Sequence, residues 1–392
     1  MKFAARLDHI EPFYVMECAK AAAELARSSA CADSPMIFLN IGEPDFTAPA
    51  LVQRAAEQAL HEGRTQYTDA TGLPELRQRI SDWYAKRFGL NIDARRIVVT
   101  AGASAALQLA CLALIDRGDE VLMPDPSYPC NRHFVAAAEG TAVLLAASAE
   151  QRFQPSCDAI ASRWSERTQG VLLASPSNPT GTSIEPAEMR RIVEYVRGRG
   201  GFTIVDEIYL GLSYEPRYGG SVLAFGDDVV SINSFSKYFS MTGWRLGWMV
   251  APTSMVPAIE RLAQNLYICA STLAQRAALA CFEPESIAEF ERRRDEFRAR
   301  RDYLIPALRQ LGLAVPVPPD GAFYAWADCS AHASNSWDFA FDMMHRAHVA
   351  ITPGRDFGPH AANRFVRLSF ASSMAQLHTA VDRLARALNK RA

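Results

Sequence analysis

The sequence lacks the marks of several protein classes. No two of its eight cysteines form a Cys-x-x-Cys pair, and no histidine cluster has the spacing of a zinc site. No segment approaches the roughly 20 consecutive apolar residues of a membrane helix, and residues 1–12 hold no apolar run of signal-peptide length. We therefore expect no metal, no membrane partner and a reduced, cytoplasmic setting.

An excess of charge is also missing. The chain of 392 residues has 41 Lys and Arg against 43 Asp and Glu, so its charge gives no reason to bind nucleic acid. In the most basic stretch, 292–301, Glu289–Arg293 and Glu296–Arg300 have the i,i+4 spacing of helical ion pairs. We expect both pairs on a solvent-exposed helix face.

The hydrophobic pattern is typical of an α/β protein. Between residues 97 and 251, short apolar runs without polar alternation are separated by helix-length segments, which indicates a mostly parallel sheet buried on both faces. In such a sheet the ligand site lies beyond the carboxyl ends of the strands. The runs are 97–100, 120–124, 142–147, 171–175, 202–206, 229–234 and 247–251.

The pattern changes after about residue 285. A long charged helix is followed by two further strands and two helices, which predicts a second, smaller α+β domain. We expect a large domain over 45–284 and a small domain formed by 1–44 and 285–392. The predicted elements of the second region are a helix at 285–311, a strand at 323–327, a helix at 337–347, a strand at 365–369 and a helix at 375–389.

Polar residues follow the apolar runs at one predicted edge of the sheet. Asn178 follows the run 171–175, Asp206 ends the run 202–206 with Tyr209 just beyond it, and Lys237 follows the run 229–234. Each residue alone is most simply a strand end or a turn. Together they place an amide, a carboxylate, a phenol and an amine at one edge.

Two further features extend this set. Arg245 follows Lys237 closely, and the Ala-Gly-Ala-Ser segment 101–104 begins a helix whose N-terminus suits a phosphate. Pyridoxal phosphate needs these groups: a lysine for its aldehyde, a carboxylate for its ring nitrogen, neutral donors for its phenolate oxygen, and an arginine with backbone N–H groups for its phosphate. We therefore expect it as the cofactor.

The sequence also resembles the class I and II aminotransferases of pyridoxal-phosphate fold type I, a family that includes the aspartate and alanine aminotransferases. The resemblance runs from about residue 8 to residue 388 and implies a large domain with a mostly parallel seven-stranded sheet plus the smaller α+β domain. The motifs that carry it occur in the family's order: 42–46 (GEPDF), 67–68 with Gly72, 177–181 (SNPTG), 206–209 (DEIY), 234–237 (SFSK), 243–247 (GWRLG), 321–324 (GAFY) and 367–370 (RLSF).

The resemblance implies a role for each matching residue. Lys237 forms the internal aldimine and moves the substrate proton, Asp206 pairs with the pyridinium, and Asn178 and Tyr209 bind the phenolate oxygen. Tyr128 stacks on the ring, or is ordinary core. The residues expected at the phosphate are Ala103, Ser104, Ser234, Ser236 and Arg245 with Tyr67 of the neighbouring subunit, and those expected at the substrate are Gly42, Asn178 and Arg367.

The expected reaction moves an amino group between an α-amino acid and a 2-oxo acid. A C–S lyase of the same fold, which performs β-elimination, would use the same residues, and none of them excludes it. A non-catalytic regulator of this kind would carry a winged-helix domain in front, and we expect none because the resemblance starts near residue 8. A degenerate structural relative is disfavoured because Lys237, Asp206 and Arg245 are all present. We expect a homodimer, because the resemblance takes Tyr67 to the partner's phosphate.

The sequence does not indicate the substrate. A dicarboxylic donor would need a second cation, for which Arg132 and Arg355 are weak candidates. Phe13 and Tyr14 either line the substrate pocket or pack onto the helix that follows them.

Overall fold

The computed structural model describes residues 1–389, and its strands confirm the predicted alternation. The strands are β1 Ile37–Phe38, β2 Ile97–Thr100, β3 Glu120–Asp125, β4 Thr141–Ala146, β5 Thr168–Ala174, β6 Phe202–Asp206, β7 Val230–Ser234, β8 Gly247–Val250, β9 Tyr324–Asp328, β10 Val349–Ala350, β11 Thr352–Pro353 and β12 Phe365–Ser369.

The helices lie between these strands and at both ends of the described chain. They are α1 Tyr14–Ala26, α2 Ala50–His61, α3 Pro74–Phe88, α4 Ala103–Leu114, α5 Pro129–Ala137, α6 Cys157–Arg163, α7 Pro186–Gly198, α8 Val256–Leu266, α9 Thr272–Ala278, α10 Pro284–Gln310, α11 Ser336–Ala347 and α12 Met374–Asn389. No helix within the range 1–389 is long and apolar enough to cross a membrane.

The main sheet has seven strands in the order β2-β8-β7-β6-β5-β3-β4. Strand β8 runs antiparallel to both of its neighbours, and the other pairs are parallel. The prediction of a mostly parallel seven-stranded sheet is therefore confirmed. Each predicted apolar run lies on one of these strands.

Both faces of this sheet are buried, which explains the unalternated apolar runs. In β5, Val171 and Leu173 belong to one hydrophobic cluster with Ile192 of α7, whereas Leu172 belongs to a second cluster with Leu107 of α4. Successive side chains of a strand point to opposite faces of the sheet. A strand between two helical layers therefore needs apolar residues at both its odd and its even positions.

The second region contains the remaining strands. Strands β11, β12 and β9 form an antiparallel sheet, and β1 pairs with β10 in parallel. The β1–β10 pairing joins the N-terminal segment to this region. The division into 45–284 and 1–44 with 285–392 stays a prediction, and residues 390–392 lie outside the described part of the chain.

The prediction that both ion pairs of α10 lie on a solvent-exposed face was wrong at both arginines, since the Arg293 side chain is only 11% exposed and that of Arg300 is buried. Arg293 and Arg300 both form the expected pairs, with Glu289 at 2.8 Å and Glu296 at 2.5 Å. The Arg300 side chain, however, is only 2% exposed, because its guanidinium also binds both carboxylate oxygens of Asp45 at 2.8 and 3.0 Å. The bidentate contact with Asp45 thus keeps the Arg300 guanidinium buried, although the helical spacing alone predicted a solvent-exposed side chain.

Candidate active site

A cavity of about 450 Å³ opens where β5, β6 and β7 end, as expected for the carboxyl edge of a parallel sheet. The last residues of these strands, Ala174, Asp206 and Ser234, all line it. With the exception of Tyr67, every residue predicted for the cofactor or the substrate lines this cavity: Gly42, Ala103, Ser104, Tyr128, Asn178, Asp206, Tyr209, Ser234, Ser236, Lys237, Arg245 and Arg367.

Lys237 and Asp206 provide the two ionisable groups on the sheet side. The Lys237 ammonium donates to the Gly42 carbonyl at 2.6 Å. Removal from water lowers the pKa of Lys237 to about 8, although the carboxylate of Glu43 opposes this shift. Burial raises the pKa of Asp206 to about 6, against a backbone hydrogen bond from Ile208 at 3.1 Å. A neutral amine is therefore accessible near neutral pH.

Two phenols lie beside this pair. Tyr209 follows β6, and its hydroxyl is 2.8 Å from the hydroxyl of Tyr324 at the start of β9. Burial raises the pKa of both phenols, so both stay protonated at neutral pH. Tyr128 precedes α5 and makes an edge contact with Phe13, at 6.2 Å between ring centroids.

The corner between α4 and Arg245 is kept open by a glycine. Gly102, just before α4, has a φ of 83°, and a Cβ there would lie 2.7 Å from Nη2 of Arg245. Arg245 itself is exposed and also adopts a positive φ of 53°. Ser234 and Ser236 line the same cavity at the end of β7. The helix start, the guanidinium and the hydroxyls give this corner donors suited to an anion.

Arg367 of β12 lies on the other side of the cavity and is 3% exposed. Its Nη1 donates to Oδ1 of Asn178 at 2.8 Å, and its Nη2 donates to the Asn40 carbonyl at 2.8 Å. The Nε atom of Arg367 is buried and has no partner among the described residues. The guanidinium of Arg367 thus lines the cavity with one N–H group that no described residue satisfies.

Three predicted candidates lie elsewhere. Tyr67 is 78% exposed and lines a separate surface hollow with residues such as Arg276. Arg132 donates to the Asp356 carbonyl at 2.9 Å, and the Arg355 guanidinium lies 4.3 Å from the ring centroid of Tyr14. Neither arginine lines the cavity. Neither is therefore placed to bind a second substrate carboxylate.

Phe13 and Tyr14, which the sequence placed either in the substrate pocket or against the following helix, differ in position. Phe13 lines the cavity, whereas Tyr14 does not and instead packs edge-on against Trp337 at 6.1 Å. The backbone N–H of Tyr14 donates to Asp356 at 2.9 Å, which fixes the start of α1 beside the cavity.

The sequence interpretation missed two residues of the site. Tyr324 belongs to the motif 321–324, but the sequence interpretation assigned it no role. Its position in a motif and at the start of a predicted strand could have indicated a site residue. Asn40 gave no signal, because a single asparagine after an apolar segment is common in loops. Its amide nitrogen and oxygen are buried without partners among the described residues.

Comparison with known proteins agrees with this geometry. The family model for aminotransferase class I and II matches residues 34–384. The chain belongs to this family. Valine–pyruvate aminotransferase from Mycobacterium tuberculosis is 38% identical over 96% of each chain, and an aspartate aminotransferase from Pyrococcus horikoshii is 32% identical over 90% of each.

Solved structures give the same result. The crystal structure of an aminotransferase from Mycobacterium tuberculosis superposes with a TM-score of 0.95 at 37% identity, covering 100% of both chains. Aspartate aminotransferase from Thermus thermophilus with maleate gives 0.92 at 31% identity, covering 99% of this chain and 100% of the other. The predictions of pyridoxal-phosphate fold type I and of an aminotransferase are confirmed. The relatives' names differ in substrate.

Proposed function

We propose that this aminotransferase binds pyridoxal phosphate in the cavity and acts on α-amino acids with apolar side chains. The observation that carries the proposal is the convergence of the Lys237 amine, the Asp206 carboxylate and the Arg367 guanidinium on one cavity, whose wall toward α1 is apolar. An amine and a carboxylate on the sheet side suit the cofactor, and a guanidinium opposite them suits an amino acid's carboxylate.

The groups lining the cavity fit the cofactor. Lys237 would hold its aldehyde carbon, Asp206 its ring nitrogen, and Asn178 with Tyr209 its phenolic oxygen. The Tyr128 ring would cover one face of the cofactor. The phosphate would occupy the corner that Gly102 keeps open, where a Cβ would crowd Arg245. The donors proposed there are the Arg245 guanidinium, the hydroxyls of Ser234 and Ser236, and the N-terminus of α4 at Ala103 and Ser104.

The residues that line the cavity would have different roles in the reaction. Pyridoxal phosphate, when bound, supplies an electron sink for negative charge that develops at the substrate Cα. Arg367 would bind and orient the α-carboxylate, with Asn178 and the backbone around Gly42 beside it. The neutral amine of Lys237 would take the proton from Cα, which its pKa of about 8 permits near neutral pH. Asp206 would stay ionised beside the ring nitrogen.

The preference for apolar side chains follows from the rest of the wall. The apolar residues toward the N-terminal segment are Phe13, Val15, Met16, Ala19 and Ile41. Among the described residues, the cations that line the cavity are Lys237, Arg245 and Arg367, each already engaged by the roles proposed above. A second carboxylate on the substrate would therefore be buried without a free cation of the same chain to pair with, at a large cost in free energy. The valine–pyruvate relative is consistent with this preference.

A screen of amino donors tests the proposal. The purified protein would be incubated with valine, leucine, alanine, aspartate or glutamate, each with pyruvate or 2-oxoglutarate, and the amino acid formed would be measured. We expect the highest kcat/KM with an apolar donor, and no product from a Lys237→Ala control. A preference for aspartate as donor would contradict the proposed side-chain pocket. Release of pyruvate and ammonia from a cysteine thioether without a 2-oxo acid, in the absence of transamination, would favour the C–S lyase.

We also propose that the active form is a homodimer in which Tyr67 completes the partner's phosphate site. The large exposure of Tyr67, and its position outside the cavity of its own chain, support this. A Lys237→Ala chain mixed with an impaired Tyr67→Ala chain should regain activity, because one heterodimer site then carries neither lesion. Light scattering should give about twice the 43.2 kDa chain mass. A fully active monomer would contradict the proposal.

The cytoplasm is the proposed location. All eight cysteines are free, and most of them are buried, as in a chain that keeps its thiols reduced. Cell fractionation tests this, and recovery of the protein only from an oxidising compartment would contradict it.

A further inference from the structure

Tyr324 is a buried residue of the cavity to which no role has been given. It is 1% exposed and begins β9, opposite Ser369 in the antiparallel pairing with β12. Arg367 is two residues from Ser369 on the same strand, so it projects from the same face of the sheet. Tyr324 and Arg367 are therefore diagonal neighbours on the side that faces the cavity.

The two ends of the Tyr324 side chain make different contacts. Its ring lies against the guanidinium of Arg367, whose Cζ is 4.4 Å from the ring centroid. Its hydroxyl is 2.8 Å from the hydroxyl of Tyr209. A Cβ on Gly42 would lie 2.8 Å from the same oxygen, so the glycine leaves the room that this contact needs. One side chain thus touches both the substrate side and the cofactor side.

A phenol has one proton to donate and lone pairs to accept. When Tyr209 directs its proton at the cofactor's phenolic oxygen, its own oxygen can only accept from Tyr324. We propose that Tyr324 is a positioning residue that fixes the Tyr209 hydroxyl as a donor to the cofactor and braces Arg367 with its ring. This inference rests on the proposed function.

Arg367 also connects Tyr324 to Asn178. Its Nη1 donates to Asn178 at 2.8 Å, and Asn178 is the other residue proposed at the phenolic oxygen. Tyr324 therefore contacts one proposed ligand of that oxygen directly and the other through Arg367. A change at Tyr324 should be detectable at the cofactor before any substrate is added.

The test uses the enzyme with bound cofactor and no substrate. The pH midpoint of its visible absorbance depends on hydrogen bonds to the phenolic oxygen. Tyr324→Phe removes the hydroxyl and keeps the ring against Arg367, so we expect the midpoint to rise by up to about one pH unit while KM for the amino donor changes less than about twofold. Tyr324→Leu removes the ring as well and should also raise KM by about tenfold.

A double-mutant cycle tests whether the effect passes through Tyr209. On a Tyr209→Phe background, Tyr324→Phe should cause no further shift, because the group through which it acts is already gone. Tyr214→Phe is the matched control. The Tyr214 hydroxyl is also buried and donates to the Ala322 carbonyl, yet Tyr214 does not line the cavity. We expect no shift from this control.

The outcomes separate this inference from the proposed function. An unchanged midpoint in Tyr324→Phe, with a shifted midpoint in Tyr209→Phe, overturns the role of Tyr324 alone. Equal shifts from Tyr324→Phe on both backgrounds also overturn it, because the hydroxyl would then act independently of Tyr209. A wild-type protein with no visible band overturns the proposed function, and the role of Tyr324 with it.

Discussion

The two sides of the cavity are built in different ways. The sheet side carries its groups at or just beyond the ends of β6 and β7, where Asp206 and Lys237 lie. The opposite side takes Arg367 from β12, the Asn40 carbonyl from the segment after β1, and Phe13 from the residue before α1. One side is the edge of a single sheet, whereas the other is assembled from segments far apart in the chain.

This difference separates chemistry from selectivity. The groups on the sheet edge are suited to the cofactor, whose shape does not change from one substrate to another. The opposite wall meets the substrate's carboxylate and side chain, and its apolar residues on α1 can vary without disturbing the sheet. Mutations on the sheet side should therefore reduce turnover for every substrate, and mutations on the opposite side should mainly change substrate binding.

The largest effect is expected at Lys237. Lys237→Ala removes both the proposed attachment of the cofactor and the base at Cα, so kcat should fall by at least about a thousandfold for all donors. Steady-state kinetics measures this, with Lys20→Ala on the exposed face of α1 as the control. Borohydride reduction and peptide mapping should find the label on Lys237. A label on another lysine would refute the assignment.

A smaller loss is expected at Asp206. Asp206→Asn keeps the shape but removes the charge proposed to hold the ring nitrogen protonated, so kcat should fall about a hundredfold while cofactor is retained. Glu207→Gln is a matched control, because this neighbouring buried carboxylate binds Ser221 and Ser231 and does not line the cavity. Near wild-type turnover in Asp206→Asn would show that Asp206 is not the partner of the ring nitrogen.

On the opposite side, Arg367→Ala should mainly weaken substrate binding. A charge-assisted pair with a carboxylate is worth roughly 1.5–3 kcal/mol, so kcat/KM should fall about tenfold to a hundredfold. Arg364→Ala serves as the control, because Arg364 lies just before the same strand but is largely exposed and pairs with Asp328. An unchanged kcat/KM with every donor would contradict the proposal that Arg367 binds the substrate's carboxylate.

The same contrast explains how much could be predicted from the sequence. Asp206 and Lys237 were predictable, because a local apolar run marks each strand and parallel strands end at one edge. The contact between Arg367 and Tyr324 depends on the register of β9 with β12, which no local pattern encodes. Strands β1 and β10, with two residues each, are too short to show a period.

Burial that depends on a distant partner was also unpredictable. The i,i+4 spacing identified the pair of Glu296 and Arg300 correctly. It gave no sign of Asp45, which lies 255 residues from Arg300 in sequence and draws the guanidinium into the interior. Local periodicity therefore indicates which helical neighbours pair, whereas solvent exposure depends on contacts between remote segments.

The smallest expected effect is a pH dependence of cofactor uptake, which concerns Lys237 on the sheet side. Only the neutral amine of Lys237 can attack an aldehyde, and removal from water lowers its pKa to about 8 because the ammonium form is disfavoured. The neutral fraction grows as pH rises, so cofactor uptake by cofactor-free protein should accelerate about tenfold between pH 7 and pH 9 and then level off.

Stopped-flow absorbance at several pH values measures this rate, and Glu43→Gln tests its cause. The Glu43 carboxylate favours the ammonium form and thereby raises the pKa of Lys237, so its removal should move the midpoint below the wild-type value. A midpoint that stays near the ordinary lysine value of about 10.4 in the wild type would mean that the amine remains hydrated. In that case the sheet edge would position Lys237 without activating it, and its reactivity would have to arise from groups on the opposite side of the cavity.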